Sequence, residues 1–289
     1  MHKAGFVNIF GKPNAGKSTL LNALIGEKLA ITSHKVQTTR HRITGIVTEP
    51  GYQIIFSDTP GIIDPKYKLH EKMMGAVRSA LEDADVALLI ADARTDFEEN
   101  VALFDSLKLK APILLVLNKI DLLPPTEQAL LQEKWTAWGK AKKVVAISAL
   151  KQEGIKALME GIVALLPAGE AFYPEDTLTD RSTRFFVAEL IREKIFQLYS
   201  EEIPYHTAVV VTEFKEKNTL TKIAAEIIVT RETQKGIIVG EHGKGIKEIG
   251  SKARVDIEQF ISQKVFLELH VRVRGKWRDS DLYLKEYGY

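Results

Sequence analysis

Short apolar runs recur at Phe6–Phe10, Tyr52–Phe56, Val86–Ala91, Ile113–Leu117 and Val144–Ile147, and most are separated by segments with helical spacing. Runs without polar alternation are what strands covered by helices on both faces require. The pattern predicts an α/β fold on a doubly wound, mostly parallel sheet. It ends near Leu166, and Pro167 to Asp180, with Gly169, Pro174 and several acids, reads as a linker. After it the order changes: an amphipathic helix from about Arg184 to Tyr199, then two alternating strands, His206–Glu213 and Thr221–Thr230, expected as an antiparallel pair. A glycine-rich turn, a helix from about Lys244 to Ser262 and a strand at Val265–Val273 follow. The expected organisation is a domain over 1–169, a linker over 170–180 and a smaller α+β region over 181–289.

Charge adds little to this picture at first sight, with 40 Lys+Arg against 38 Asp+Glu. Residues 1–180 hold 21 basic and 22 acidic side chains, a net of −1, whereas 181–289 hold 19 and 16, a net of +3. That excess is compatible with an anionic partner for the second region. The chain has no cysteine, which excludes disulfide and thiol chemistry and favours a reducing, intracellular setting. No apolar run approaches a membrane span.

Gly11-Lys12-Pro13-Asn14-Ala15-Gly16-Lys17-Ser18 fits G-x-x-x-x-G-K-[ST] directly after a strand and before a helical run, the context a P-loop needs. Its glycines let backbone N–H groups fold around phosphates, Lys17 neutralises β/γ oxygens, and the Ser18 hydroxyl ligates Mg2+. Asp58-Thr59-Pro60-Gly61 closes the second strong apolar run, which is expected to put Asp58 near that Mg2+, acting through water, and the Gly61 N–H near the γ-phosphate. Asn118-Lys119-Ile120-Asp121 closes another run. A carboxylate at Asp121 accepts from the guanine N1–H and exocyclic amine, a donor pair adenine lacks, so the base is expected to be guanine. Ser148, Ala149 and Leu150 offer N–H groups to the guanine O6. Between the P-loop helix and Asp58, Thr32 to Arg42 is polar and without strand alternation, as a mobile switch would be, with Thr38 and Thr39 as adjacent candidates for a second Mg2+ ligand. The catalytic set is therefore Lys17, Gly61 and one of these threonines, acting on GTP to give GDP and phosphate.

Farther on, Gly240-Glu241-His242-Gly243 forms a Gly-x-x-Gly turn ahead of a helix start at Lys244, with an apolar approach at Ile237-Ile238-Val239 that reads as either strand or helix. This fits a KH domain, in which the turn lets single-stranded RNA backbone approach and the helix N-terminus faces phosphate. Lys235, Lys244, Lys247, Lys252 and Arg254 outnumber Glu241 and Glu248 there. Trp277 and Arg278 fit either base stacking or a small core. His34, His41 and His70 show no metal-ligand spacing.

Thr32 to Arg42 (Thr-Ser-His-Lys-Val-Gln-Thr-Thr-Arg-His-Arg) resembles the switch segment of the bacterial Era GTPases. Tyr173-Pro174-Glu175-Asp176, Thr179-Asp180-Arg181 and Ala188 to Lys194 resemble that family's linker and following helix, and Glu202-Ile203-Pro204-Tyr205 its next turn. The resemblance spans nearly the whole chain and implies a type II KH domain at about 205–281. It selects Thr39 as the Mg2+ ligand, because in that family the Thr immediately before the switch Arg is the sensing one. It also implies binding of the 3′ end of 16S rRNA in 30S ribosomal subunit assembly, and a cytoplasmic, monomeric protein in peripheral contact with the inner membrane. Ile62 stands where Ras-like proteins place a water-orienting Gln, so slow hydrolysis is expected unless another group helps. Related GTPases coordinate potassium through an Asn at the position of Asn14, which implies K+ here. The alternative reading is a GTPase acting on a protein or membrane partner, with the Gly-x-x-Gly region as a docking module.

Overall fold

The computed structural model describes Met1–Tyr289. Its first nine elements of regular structure alternate as the apolar runs demand, with one addition. They are β1 (Lys3–Phe10), α1 (Lys17–Ile25), β2 (Ile43–Glu49), β3 (Tyr52–Asp58), α2 (Lys68–Glu82), β4 (Val86–Asp92), α3 (Phe97–Ser106), β5 (Ile113–Asn118) and α4 (Pro125–Ala137), followed by β6 (Ala141–Ala146) and α5 (Ile155–Leu165). The six strands form one sheet in the order β2-β3-β1-β4-β5-β6. Every pairing is parallel except β2 with β3, where Ile43 faces Asp58 and Glu49 faces Tyr52. Strand β2 is the addition: Ile-Thr-Gly-Ile-Val-Thr-Glu is too polar to stand out as an apolar run, which suits an edge.

The centre of the sheet is dry. Ile9, Phe10, Phe56, Leu88, Leu89, Leu115 and Val116 are all fully buried, as strands with helices on both faces must be. Helix starts follow local chemistry: the Asp96 side chain accepts from Glu99 N at the head of α3, where Glu98 and Glu99 complement the helix dipole. At the far end of α1, Gly26 adopts φ 81° and its N–H returns to Asn22 O.

Residues 170–180 lie along the β2 edge of this sheet. Ile46 N donates to Leu178 O at 2.8 Å, Thr179 Oγ1 to Thr44 O at 2.6 Å, and Gln53 Nε2 to Tyr173 O at 2.8 Å. By contact density the chain divides into a unit of Met1–Asp64 with Met73–Asp180, and a unit of Pro65–Lys72 with Arg181–Tyr289.

In the second unit come α6 (Thr183–Leu198), β7 (Ala208–Glu216), β8 (Thr221–Val229), α7 (Glu232–Val239), α8 (Lys244–Ile261), β9 (Val265–Val273) and α9 (Asp281–Glu286). The sheet order is β7-β8-β9, with β7 antiparallel to β8 across a bulge between Val211 and Glu213, and β9 parallel to β8. The crossover from β8 to β9 is the α7–α8 pair. Val187, Ile191, Ile195, Ile223, Ile227, Ile238, Ile249 and Ile257 make its core. Helix α6 differs from a simple amphipathic helix, because Glu189, Arg192, Glu193 and Lys194 are buried as well. Pairing makes that tolerable: Arg192 donates to both Glu189 oxygens, at 2.7 and 2.5 Å, and Lys194 Nζ to Asp256 Oδ2 at 2.5 Å.

Trp277 resolves in favour of packing. It is fully buried, its Nε1 donates to His206 O at 3.0 Å, and its ring lies 5.9 Å from Tyr287 and 6.1 Å from Tyr289. Trp277→Ala should lower unfolding stability of this unit by about 3–5 kcal/mol in a denaturant titration. No helix of the chain is long and apolar enough to cross a membrane.

Candidate functional site

Gly11 to Ser18 runs from the end of β1 into the first turn of α1. Gly16 sits at φ 99°, and a Cβ there would stand 2.2 Å from Asn118 Nδ2, so a side chain is excluded on both counts. Lys17 is buried, and its Nζ donates to Gly11 O at 3.1 Å and Lys12 O at 2.8 Å. Burial pushes the Lys17 ammonium down to about 8, with the Asp58 carboxylate pulling the other way. Lys12 Nζ is paired with Glu99 at 2.6 Å.

The two hydroxyls expected at a metal meet at Asp58. Ser18 Oγ donates to Asp58 Oδ2 at 2.6 Å, Thr39 Oγ1 reaches the same oxygen at 3.1 Å, and the hydroxyls are 2.8 Å apart. Thr38 instead donates to Lys35 O at 2.7 Å. Burial pushes the Asp58 carboxyl up, opposed by Lys17 and by the hydrogen bonds from Ser18 and Thr39. Its Oδ1 is buried with no hydrogen-bond partner. Two hydroxyls and a carboxylate with an orphaned oxygen are a hard-oxygen set suited to Mg2+. Thr59 Oγ1 donates to Ile9 O at 2.7 Å, which fixes the loop at its root. A Cβ on Gly61 would fall 2.9 Å from Pro13 Cγ, and Ile62 N lies 3.5 Å from Gly11 O, so Pro60 to Ile62 run beside the P-loop.

At the other end, Asn118 staples two loops. Its Nδ2 donates to Ala15 O at 2.8 Å and its Oδ1 accepts from Ala149 N at 3.0 Å. Lys119 Nζ donates to Asn14 O and Asp92 Oδ2, both at 2.7 Å. Partial burial pushes the Asp92 carboxyl up, but hydrogen bonds from Arg94 and Lys119 outweigh it and hold Asp92 at about 2. The Asp121 carboxylate is held below the usual range by the Ser148 hydroxyl, with Lys151 Nζ 3.3 Å away. Ser148 N donates to Glu153 O, so with Ala149 N also engaged, Leu150 N is the one of the three without an internal acceptor. Asp92 and Arg94 are absent from the sequence reading. The available signal is an acid ending the β4 run, beside the strand that delivers Lys119.

Nucleotide-free Lys17 is mostly neutral above pH 8, and a phosphate beside it raises its pKa. Nucleotide binding at pH 9 is therefore expected to take up nearly one proton per site, and affinity to fall as pH rises above about 8. Calorimetry in buffers of different ionisation enthalpy reads this directly.

In the second unit, α7 ends at Gly240, with φ 69° and ψ 175°. A Cβ on Gly240 would meet Gly245 N at 2.8 Å, whereas one on Gly243, at φ 77°, would meet nothing within 4 Å. The first glycine shapes the loop and the second leaves its tip open. Glu241 and His242 are exposed, His242 at φ 51°, and Lys244, Lys247, Lys252 and Arg254 are exposed along α8, with Lys252 paired to Glu248 at 2.8 Å. The apolar approach is helix α7, capped by Gln234, whose Oε1 accepts from Thr230 N and Arg231 N at 3.0 and 3.2 Å.

Residues 6–119 match the family described as 50S ribosome-binding GTPase, and residues 202–278 match the KH domain. The chain is 46% identical to GTPase Era of a Geobacter species over 99% of this chain and 98% of that protein. The chain belongs to the Era family of GTPases. A chloroplastic GTPase ERA-like protein of Oryza sativa subsp. japonica is also 46% identical, over all of this chain and 70% of its own length. Among solved Era structures, an Aquifex aeolicus variant bound to GDP·AlF4− matches with a TM-score of 0.95 at 40% identity, covering 99% of each chain. Another, Era in complex with MgGDPNP and nucleotides 1506–1542 of 16S ribosomal RNA, matches at 0.93 and 41% identity over 100% of this chain and 99% of that one. As a member of this family the chain is an enzyme that hydrolyses GTP, with Mg2+ as cofactor.

Proposed function

We propose that the chain is a GTP-timed RNA-binding factor that acts on the 3′ end of 16S rRNA in small-subunit assembly. The observation that carries it is the open Gly243 tip at the head of a basic helix, in a chain alike over its full length to an Era bound to that RNA. In this reading the nucleotide domain is 1–169 and the RNA-binding region 181–289, and Gly240 to Lys244, Lys247, Lys252 and Arg254 receive the RNA backbone.

Hydrolysis is assigned residue by residue. Asp121 accepts from the guanine edge, Asn118 holds the loops that border the base, Lys119 lies along it, and Leu150 N donates to O6. P-loop N–H groups from Asn14 to Ser18 bind the phosphates, with Pro13 lining the loop, and Lys17 turns from Gly11 O and Lys12 O to the β/γ oxygens. Ser18 and Thr39 hold Mg2+ directly and Asp58 through water. Mg2+ there offsets charge on the β/γ oxygens. The Gly61 N–H donates to the γ-phosphate, and the Ile62 side chain offers no polar atom to the attacking water, so the unaided rate is slow. We assign Asn14 to K+: its Nδ2 donates to His34 O at 2.8 Å, which leaves Oδ1 as the acceptor for a cation. The same reading takes the chain to be a cytoplasmic monomer in peripheral contact with the inner membrane.

One set of assays tests this. GTP hydrolysis is measured in K+ or Na+, with and without an RNA copying the 16S 3′ end. Stimulation by that RNA, and further by K+, is the expected result. Gly243→Asp, whose Cβ meets no atom and whose residue type is among those that tolerate a positive φ at some strain, should weaken RNA binding roughly 10-fold or more at constant salt by facing phosphate with a carboxylate. Equal binding of an unrelated polyanion, unchanged by Gly243→Asp, would assign the second unit to protein or membrane docking instead.

A further inference from the structure

One side chain fixes the end of the switch segment. Arg42, 18% exposed at its side chain, pairs two-pronged with Asp83, through Nη1 to Oδ2 and through Nη2 to Oδ1 at 3.1 Å. Its Nε donates to Ser57 Oγ at 3.0 Å and its Nη2 also to Asn8 Oδ1 at 3.3 Å. Asn8, fully buried, donates in turn to Ala80 O at 2.6 Å and Asp83 Oδ1 at 2.7 Å.

The partners come from three segments, two of which lead directly into the nucleotide motifs. Ser57 precedes Asp58 on β3, Asn8 lies on β1 three residues before Gly11, and Ala80 and Asp83 stand at the end of α2, the helix that follows Gly61. A planar guanidinium with five donors can hold Ser57, Asn8 and Asp83 at once, which an ammonium cannot. The opposite end of the switch is clamped by Asn22, whose Oδ1 accepts from Leu29 N and Ala30 N at 3.0 and 2.8 Å and whose Nδ2 donates to Ala30 O at 2.8 Å. Residues 32–41, between the clamps, carry neither helix nor strand. Thr39 is three residues from Arg42, so with Arg42 fixed it can stray at most about 10 Å from that point.

We infer that Arg42 is a positioning residue for GTP hydrolysis, which locks the start of β2 to Ser57, Asn8 and Asp83 and so sets where Thr39 meets Asp58 and Ser18. The inference rests on Thr39 being the switch ligand of Mg2+. A displacement of about 1 Å at such a group costs on the order of 100-fold in rate.

The test is steady-state GTP hydrolysis on the full chain with Arg42→Ala, Arg42→Lys, Thr39→Ala and the Thr39→Ala/Arg42→Ala pair, alongside GDP affinity and unfolding temperature. Arg42→Ala should lower kcat about 10- to 100-fold with GDP affinity unchanged, because GDP does not need Thr39. Arg42→Lys, which keeps the charge and loses the fork, should behave like Arg42→Ala, and the double variant should be no slower than Thr39→Ala alone. Unchanged kcat in Arg42→Ala, additive losses in the double variant, or a loss of kcat matched by equal losses of GDP affinity and unfolding temperature would each overturn the inference. If Thr39→Ala is fully active, the Thr39 assignment itself fails and takes the inference with it. If Thr39→Ala is slow and Arg42→Ala is not, the inference alone fails.

Discussion

Asp121→Asn should weaken GTP binding by about 100- to 10,000-fold and transfer preference to xanthosine triphosphate. The carboxylate accepts two hydrogen bonds from the guanine edge, each worth about 1.5–3 kcal/mol because the acceptor is charged, and 1.4 kcal/mol is a factor of ten. An asparagine amide keeps one oxygen that can accept from N1–H but replaces the other with an NH2 group, which guanine's exocyclic amine opposes and which the xanthine C2 carbonyl accepts. The exchange should leave the fold intact, since the Asp121 carboxylate is engaged by the Ser148 hydroxyl and the Lys151 ammonium, which an asparagine oxygen can still accept from. Competition of GTP and XTP for a fluorescent nucleotide measures it. A variant that loses both nucleotides equally would place Asp121 outside the base site.

Lys17→Ala should lower kcat/KM for GTP by about 1,000-fold. Losing one preorganised donor to a developing negative charge costs about 100- to 1,000-fold, and Lys17 also neutralises charge in the bound substrate. A second consequence follows from its surroundings. Lys17 is the cation opposing the burial of Asp58, so without it the Asp58 carboxyl rises further and hydrolysis should need a higher pH or more Mg2+ to recover any activity. Single-turnover hydrolysis as a function of pH and Mg2+ separates the two effects. A Lys17→Ala variant with near-normal kcat/KM would contradict the phosphate role.

How much of this could be read from residues alone depends on how local the chemistry is. Gly11 to Ser18 and Asn118 to Asp121 announce themselves because one loop must supply several groups at fixed spacing. Thr39 does not: Thr38 is chemically equal in sequence, the resemblance to the Era GTPases is what favours Thr39, and the fold brings the Thr39 hydroxyl to Asp58 while Thr38 donates to Lys35 O. Arg42, Asn8, Ser57 and Asp83 are common residues drawn from four segments, so no spacing betrays them, and the same holds for Asp92 beneath Lys119. Among the elements, β2 escapes notice because an edge strand need not be apolar. The Ile237–Val239 triplet is ambiguous because β-branched residues suit a strand, yet Gln234 caps a helix there. Helix α6 looks amphipathic because its charges pair in the interior, and pairing leaves no trace in one segment's pattern.

Leu178 and Thr179 occupy backbone hydrogen-bonding groups on the open edge of β2, and Tyr173 O takes the Gln53 side-chain amide of β3. A fragment ended near Leu166, where the strand–helix alternation stops, would thus carry every nucleotide motif and still present a bare strand edge, a template for self-association. Solubility of the nucleotide-binding unit is in this sense supplied by the stretch that leads out of it, and the cut that respects it falls after Asp180.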